Sequence, residues 1–221
     1  MATKHNISSD KIYHYIIQCI TEGKLKPNDR IKEQDLVKET GLSRTPIREA
    51  LNILLNEGML TQDSKNGLII TELDLNAITK LYELREILEG ECAKLAAQHA
   101  SNTEIDILSE LVQAQTTLTD TNMIKANNIL FHETLYRCSC NRFLIKMMQE
   151  MKRSLLLLGE STLSNKSRQK QSYEEHYEMV SALQKRDSAK AQEYAKLHIR
   201  NAYKVRLSRL LNSKNVHIHA K

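Results

Sequence analysis

A chain of 221 residues with 41% hydrophobic content is long enough to bury a sizeable core, as one large domain or two smaller ones. Its opening residues, MATKHNISSDK, hold no apolar leader, and no stretch approaches the roughly 18 apolar residues that a membrane span requires, so we expect a cytoplasmic protein that makes no membrane contact. The net charge of +5 suggests an anionic partner, yet residues 1–72 hold 10 Lys+Arg against 10 Asp+Glu, so nucleic-acid contacts must come from where charge is placed.

The first predicted element is a helix capped by Ser8 or Ser9, with Ile12, Tyr15, Ile16, Cys19 and Ile20 forming a buried stripe and Gly23 ending it. A short helix follows over 33–40, with Glu33 and Asp35 at its positive end and Gly41 as terminator. Ser43 is the expected N-cap of a third helix. Pro46 is tolerated in its first turn, and Ile47, Ala50, Leu51, Leu54 and Leu55 form its inner stripe up to Gly58. LTQ at 60–62 and GLIIT at 67–71 read as two strands of a hairpin, with Asn66-Gly67 as its turn signal.

Two helices joined by a tight turn and followed by a two-stranded ribbon match a winged helix-turn-helix, whose second helix enters the DNA major groove. With the apolar stripe facing inward, Arg44, Thr45, Arg48 and Asn52 fall on the solvent side, concentrated in the first turns. There an Arg can reach guanine O6 and N7, and Ser43, Thr45 and the free helix-start amides can hold phosphate. Spacing alone also allows an ordinary solvated face on which these arginines pair with neighbouring side chains.

EGKLKPNDRI at 22–31, E-x-x-L-V-x-E-T-G at 33–41, LSRTPIREAL at 42–51 and L-x-x-E-G at 54–58 resemble the GntR family of bacterial transcription regulators. The resemblance implies that Arg44, Thr45 and Arg48 read the operator, with Ser43 and the wing residues Lys65, Asn66 and Gly67 touching backbone or minor groove. Gln34, also a candidate contact, stands where many members carry a basic residue.

From Asp74 the chain loses its turn residues and reads as six helices, near 74–100, 103–119, 122–139, 141–160, 168–185 and 187–211, in an antiparallel all-α bundle. Thr103 and Asp187 are the expected start signals of the second and sixth of these. We therefore divide the chain into a winged helix-turn-helix at 1–72, a helical domain at 73–211 and a flexible tail at 212–221. Cys19, Cys92, Cys138 and Cys140 lack framework spacing and read as reduced, buried thiols.

Along the first helix of the bundle the inward series is Ile78, Leu81, Arg85, Leu88, Cys92, Leu95 and His99. Arg85 sits mid-stripe and so needs a partner, either an acidic side chain or the carboxylate of a ligand. Asn128 and His132 stand four apart on one helix face, beside Ile124, Phe131 and Leu135. His176 lies in the series Tyr173, His176, Val180, Leu183, and His198 in Ala191, Tyr194, Ala195, His198, Ala202, Val205. Three imidazoles plus one oxygen, all directed into a bundle, suit a divalent metal (Zn, Ni, Mn or Fe) with positions left open.

LYELREILEGECAKLAA at 81–97, FHETL at 131–135, EHYEMVSALQKRD at 175–187 and the position of His198 resemble the FCD effector-binding domain of the FadR subfamily. In metal-binding members the ligands are an Asp or Asn four before a first His, a His in an EH pair, and a His on the last helix. Asn128, His132, His176 and His198 match those places, with Asn128 standing where Asp is commoner. The resemblance implies a homodimeric regulator, a repressor by the family's commoner mode, binding a palindromic operator and a small organic acid. Arg85 would be a second anchor for that acid. Two other readings are a metal-dependent enzyme, against which stands the lack of a general base or nucleophile motif, and an effector-independent architectural DNA binder.

Overall fold

In a computed structural model of the chain, the backbone is described for residues 4–65 and 67–218 and the side chains for residues 8–65 and 67–212. The first three helices are α1 (Lys4–Thr21), α2 (Glu33–Thr40) and α3 (Arg44–Asn56). Gly41 ends α2 at φ 68, returning its N–H to Val37 O, which is the left-handed turn a helix-turn-helix needs and that glycine adopts without steric cost. Ser43 does hold the N-cap position of α3, with extended backbone, but its side chain makes no capping hydrogen bond. One face of α3 supplies Ile47, Ala50, Leu51 and Leu54 to a core completed by Ile12 and Ile16 of α1 and by Met59, Leu60 and Ile70.

The expected hairpin is one part of a three-stranded sheet. Strands β2 (Leu60–Gln62) and β3 (Leu68–Ile70) pair antiparallel, and the two-residue β1 (Arg30–Ile31) adds on the far side of β3, giving the order β1-β3-β2. A strand of two residues has no periodicity to reveal it. The wing loop is held by Asp63, whose Oδ1 accepts from Lys65 N and Gly67 N and whose other oxygen pairs with Arg30. Glycine at 67 answers to space: a Cβ there would lie 3.0 Å from the Arg30 guanidinium. Asn66, the other half of the turn signal, lies outside the described residues.

The remaining helices are α4 (Leu75–His99), α5 (Asn102–Ala114), α6 (Thr121–Cys138), α7 (Arg142–Leu156), α8 (Lys166–Gln184) and α9 (Ser188–Ile218), with a 3-10 turn at Thr162–Ser164. Helix α5 starts from Ser101, which forms a capping box with Glu104, so the expected start at Thr103 is displaced by a better reciprocal cap. Asp187 does cap α9, accepting from Lys190 N. Helix α9 runs on to Ile218, where a tail from 212 was expected; residues 219–221 lie outside the described residues.

The chain forms two compact units. One comprises residues up to Asn76 together with Glu150–Glu160, the other Ala77–Gln149 and the residues from Ser161 on. The sequence boundary at 72–73 thus misses a second crossing: residues 150–160 fold with the amino-terminal unit, where Leu157 enters the core and Leu156 packs against it. Within the second unit α8 packs on α9 and α5 packs on both α6 and α8. Of the cysteines, Cys19, Cys92 and Cys138 are buried and all four are free, but Cys140 is exposed at the end of α6.

Candidate DNA-reading and metal-binding sites

On α3 the apolar residues Pro46, Ile47, Ala50, Leu51 and Leu54 are buried, and Ser43, Arg44, Thr45 and Arg48 are exposed on the other side. Gln34 on α2 and Lys65 in the wing are exposed as well, and Gly67 is half-buried. Arg48 is not free. Its Nε donates to both carboxylate oxygens of Glu33, each at 3.0 Å, bridging the two helices of the motif. Sequence reasoning had looked for partners on α3 itself and missed this one, because helix pairing is a tertiary fact.

In the second unit, His132 of α6, His176 of α8 and His198 of α9 are 5%, 1% and 3% exposed, and one ring nitrogen from each lies within 4.8 Å of the others. Ring centroids are 4.5 Å apart for His176 and His198, 5.1 Å for His132 and His198, and 5.2 Å for His132 and His176. Phe131, next to His132 on α6, stacks on His176 at 4.0 Å and fixes that ring. Asn128, one turn before His132, is half-buried, and its Oδ1 is buried without a hydrogen-bond partner. His132 Nε2 and His176 Nε2 are likewise buried without partners. Buried polar atoms left bare are costly, and these three carry lone pairs, so the donor set fits a cation.

Two carboxylates that sequence reasoning passed over stand behind the imidazoles. Glu175 Oε2 is 2.7 Å from His198 Nδ1, and Asn201 Nδ2 donates to Glu175 Oε1 at 2.6 Å. Arg168 also approaches His198 Nδ1, at 3.3 Å, but the shorter contact decides the tautomer: Nδ1 carries the proton for Glu175, and Nε2 keeps its lone pair. Arg168 Nη1 donates to Glu175 at 2.7 Å and Nη2 to His198 O at 3.3 Å. On the opposite side Glu89, 1% exposed, places Oε2 at 2.8 Å from His132 Nδ1 and pairs with Arg85 Nε.

The electrostatics keep His176 and His198 in their ligating, neutral form. Burial, then the neighbouring imidazole and Arg168, push His198 well below the usual histidine range; burial and both other imidazoles do the same to His176. Burial alone would raise Glu89, but Arg85 and His132 outweigh it and hold the carboxyl far below its ordinary value. Burial raises Glu175, against the pull of Arg168 and Asn201. Tyr136 is pushed up by burial and by Glu89, so it stays a phenol.

Arg85 thus has the acidic partner its place in the stripe demands. The Glu89 spacing, four residues on, was a signal available in the sequence. Its guanidinium lies 5.8 Å from the Tyr82 ring centroid, and no further hydrogen bond engages its terminal nitrogens among the described residues.

An exposed, arginine-bearing second helix beside a wing is thus joined in one chain to a helical module with a buried histidine trio. Residues 8–70 match the bacterial regulatory proteins of the gntR family, and residues 80–201 match the FCD domain. This chain belongs to the GntR family.

GntR relatives share most of its length. The Nta operon transcriptional regulator of Aminobacter aminovorans is 30% identical over 80% of this chain and 84% of its own. The gluconate operon transcriptional repressor of Bacillus licheniformis is 26% identical over 71% of this chain and 64% of its own. Among solved structures, E. coli McbR/YncC superposes with a TM-score of 0.74 at 21% identity, covering 92% of this chain and 98% of its own, which shows a shared fold. The families matched are those of transcriptional regulators, not of enzymes. Among the described residues no helix is long and apolar enough to cross a membrane.

Proposed function

We propose that this GntR regulator acts as a homodimer on a palindromic operator, and that a small organic acid bound with a divalent metal in its FCD domain relieves repression. The observation that carries the reading is the convergence of the buried His132, His176 and His198, with Asn128 one turn before His132: Asn128 Oδ1, His132 Nε2 and His176 Nε2 are buried without partners. Asn128, His132, His176 and His198 would hold the metal, which supplies a Lewis-acidic point for a carboxylate.

The four ligands are all neutral, and no carboxylate among them neutralises a divalent cation, so an anion is the favourable extra ligand. Arg85, with its terminal nitrogens uncommitted, is suited to the same anion as a second anchor. On the DNA side, Arg44, Thr45 and Arg48, with Ser43, Gln34, Lys65, Asn66 and Gly67, are the proposed contacts. Two reading heads double the contacts that one small helix can make, which favours a dimer.

The test is a gel shift on the chain's own upstream DNA combined with metal analysis. Wild type is expected to carry metal and to release DNA when acid is added. His176→Ala should lose the metal and the acid response while still binding DNA. Unaltered metal stoichiometry in that variant would overturn the ligand set.

A further inference from the structure

Two buried polar atoms on the helix that carries His176 find no explanation in a metal. Ser172 is fully buried on α8, one turn before His176, and its Oγ has no hydrogen-bond partner, not even the carbonyl four residues back that a helical serine commonly takes. Arg168, 2% exposed and one turn further back, spends its terminal nitrogens on Glu175 and His198 but leaves Nε without an acceptor. A guanidinium has no lone pair to give a cation, and both groups can donate, so what would satisfy them is an acceptor oxygen. Positions four apart share a helix face, so Arg168, Ser172 and His176 form one row along α8, from which the Arg168 guanidinium reaches back to His198.

Building on the effector reading above, we propose that Arg168 and Ser172 form a subsite for a second oxygen-bearing group of the acid. That group sits about one helical turn, ~5.4 Å, from the group anchored at His176. The spacing selects acids with oxygen functions at both ends of a four-carbon chain over simple monocarboxylates. Glu175 already meets the charge of Arg168. The second group can therefore be a hydroxyl or a carboxylate.

The experiment titrates metal-loaded, full-length protein with butanoate, 4-hydroxybutanoate and succinate by calorimetry, with metal content read by mass spectrometry. Wild type is expected to bind one of the two bifunctional acids about tenfold more tightly than butanoate. Which of the two wins tells whether the group is neutral or anionic. Ser172→Ala should cut that advantage by roughly three- to tenfold, leaving butanoate affinity and metal content unchanged. Equal affinity for all three acids in wild type, or undiminished selectivity in Ser172→Ala, overturns the subsite and leaves the metal-and-acid reading standing. Loss of metal from Ser172→Ala would show a structural role instead and overturns it too. Binding of none of the three overturns the subsite together with the organic-acid reading.

Discussion

Arg48 leaves 61% of its side chain in solvent and still holds Glu33, which makes the pair a surface ion pair worth little to folding. The pair holds the guanidinium between the two helices of the motif, where the proposed DNA contact would compete with Glu33 for it. Arg48→Ala should therefore weaken operator binding by about 1 to 3 kcal/mol while leaving the melting temperature within about a degree or two, as gel shift and calorimetry would report. Beside the histidine trio the corresponding residue is Glu175, which holds His198 Nδ1 at 2.7 Å and stands outside the proposed ligand set. Glu175→Gln is expected to lower metal affinity by roughly 10- to 100-fold in a competition assay while His176→Ala abolishes it. Equal effects of the two changes would mean that Glu175 is itself a ligand.

Among the elements, α4 shows where periodicity misleads. Of the expected inward series, Ile78 and Cys92 are buried, Leu81, Arg85, Leu88 and Leu95 are half-buried and His99 at its end is exposed. The buried face is turned toward Tyr82, Glu89, Cys92, Ala93, Ala96 and Ala97. Alanines carry little hydropathic signal but let helices approach closely, so packing chose them and left Leu84 and Ile87 at 45% and 61% exposure. Helix α7 gives the second lesson. Its end and the residues after it fold with the DNA-reading unit, where Arg153 lies 3.5 Å from Glu57, the C-cap of α3, and Tyr13 donates to the same carboxylate at 2.7 Å. Leu157→Ala should accordingly cost about 2 to 5 kcal/mol in the stability of the amino-terminal unit, although the residue falls within the FCD match. Proteolysis or hydrogen exchange confined to residues 10–70 would register it, and protection lost only in the helical unit would refute it.

For the whole molecule, the proposed metal would be linked to folding, because a cation that binds only the folded chain stabilises it by mass action. At 100 times its dissociation constant the gain is about 2.7 kcal/mol, so a chelator should lower the melting temperature of wild type and leave that of His176→Ala unmoved. Sequence by itself determined the two-part plan, from the loss of turn residues after Asp74, and the amphipathic α3 with its arginines outward, and it singled out the four proposed ligands, since which face of its own helix a residue takes is set by local spacing. Tertiary structure decided what depends on helices meeting: Glu33 against Arg48, Glu89 and Glu175 behind the histidines, β1 on β3, and residues 150–160 in the core of the other unit. Contacts between distant parts of a chain are fixed by packing and desolvation, and a local pattern of residues carries no record of which partner will come to lie opposite.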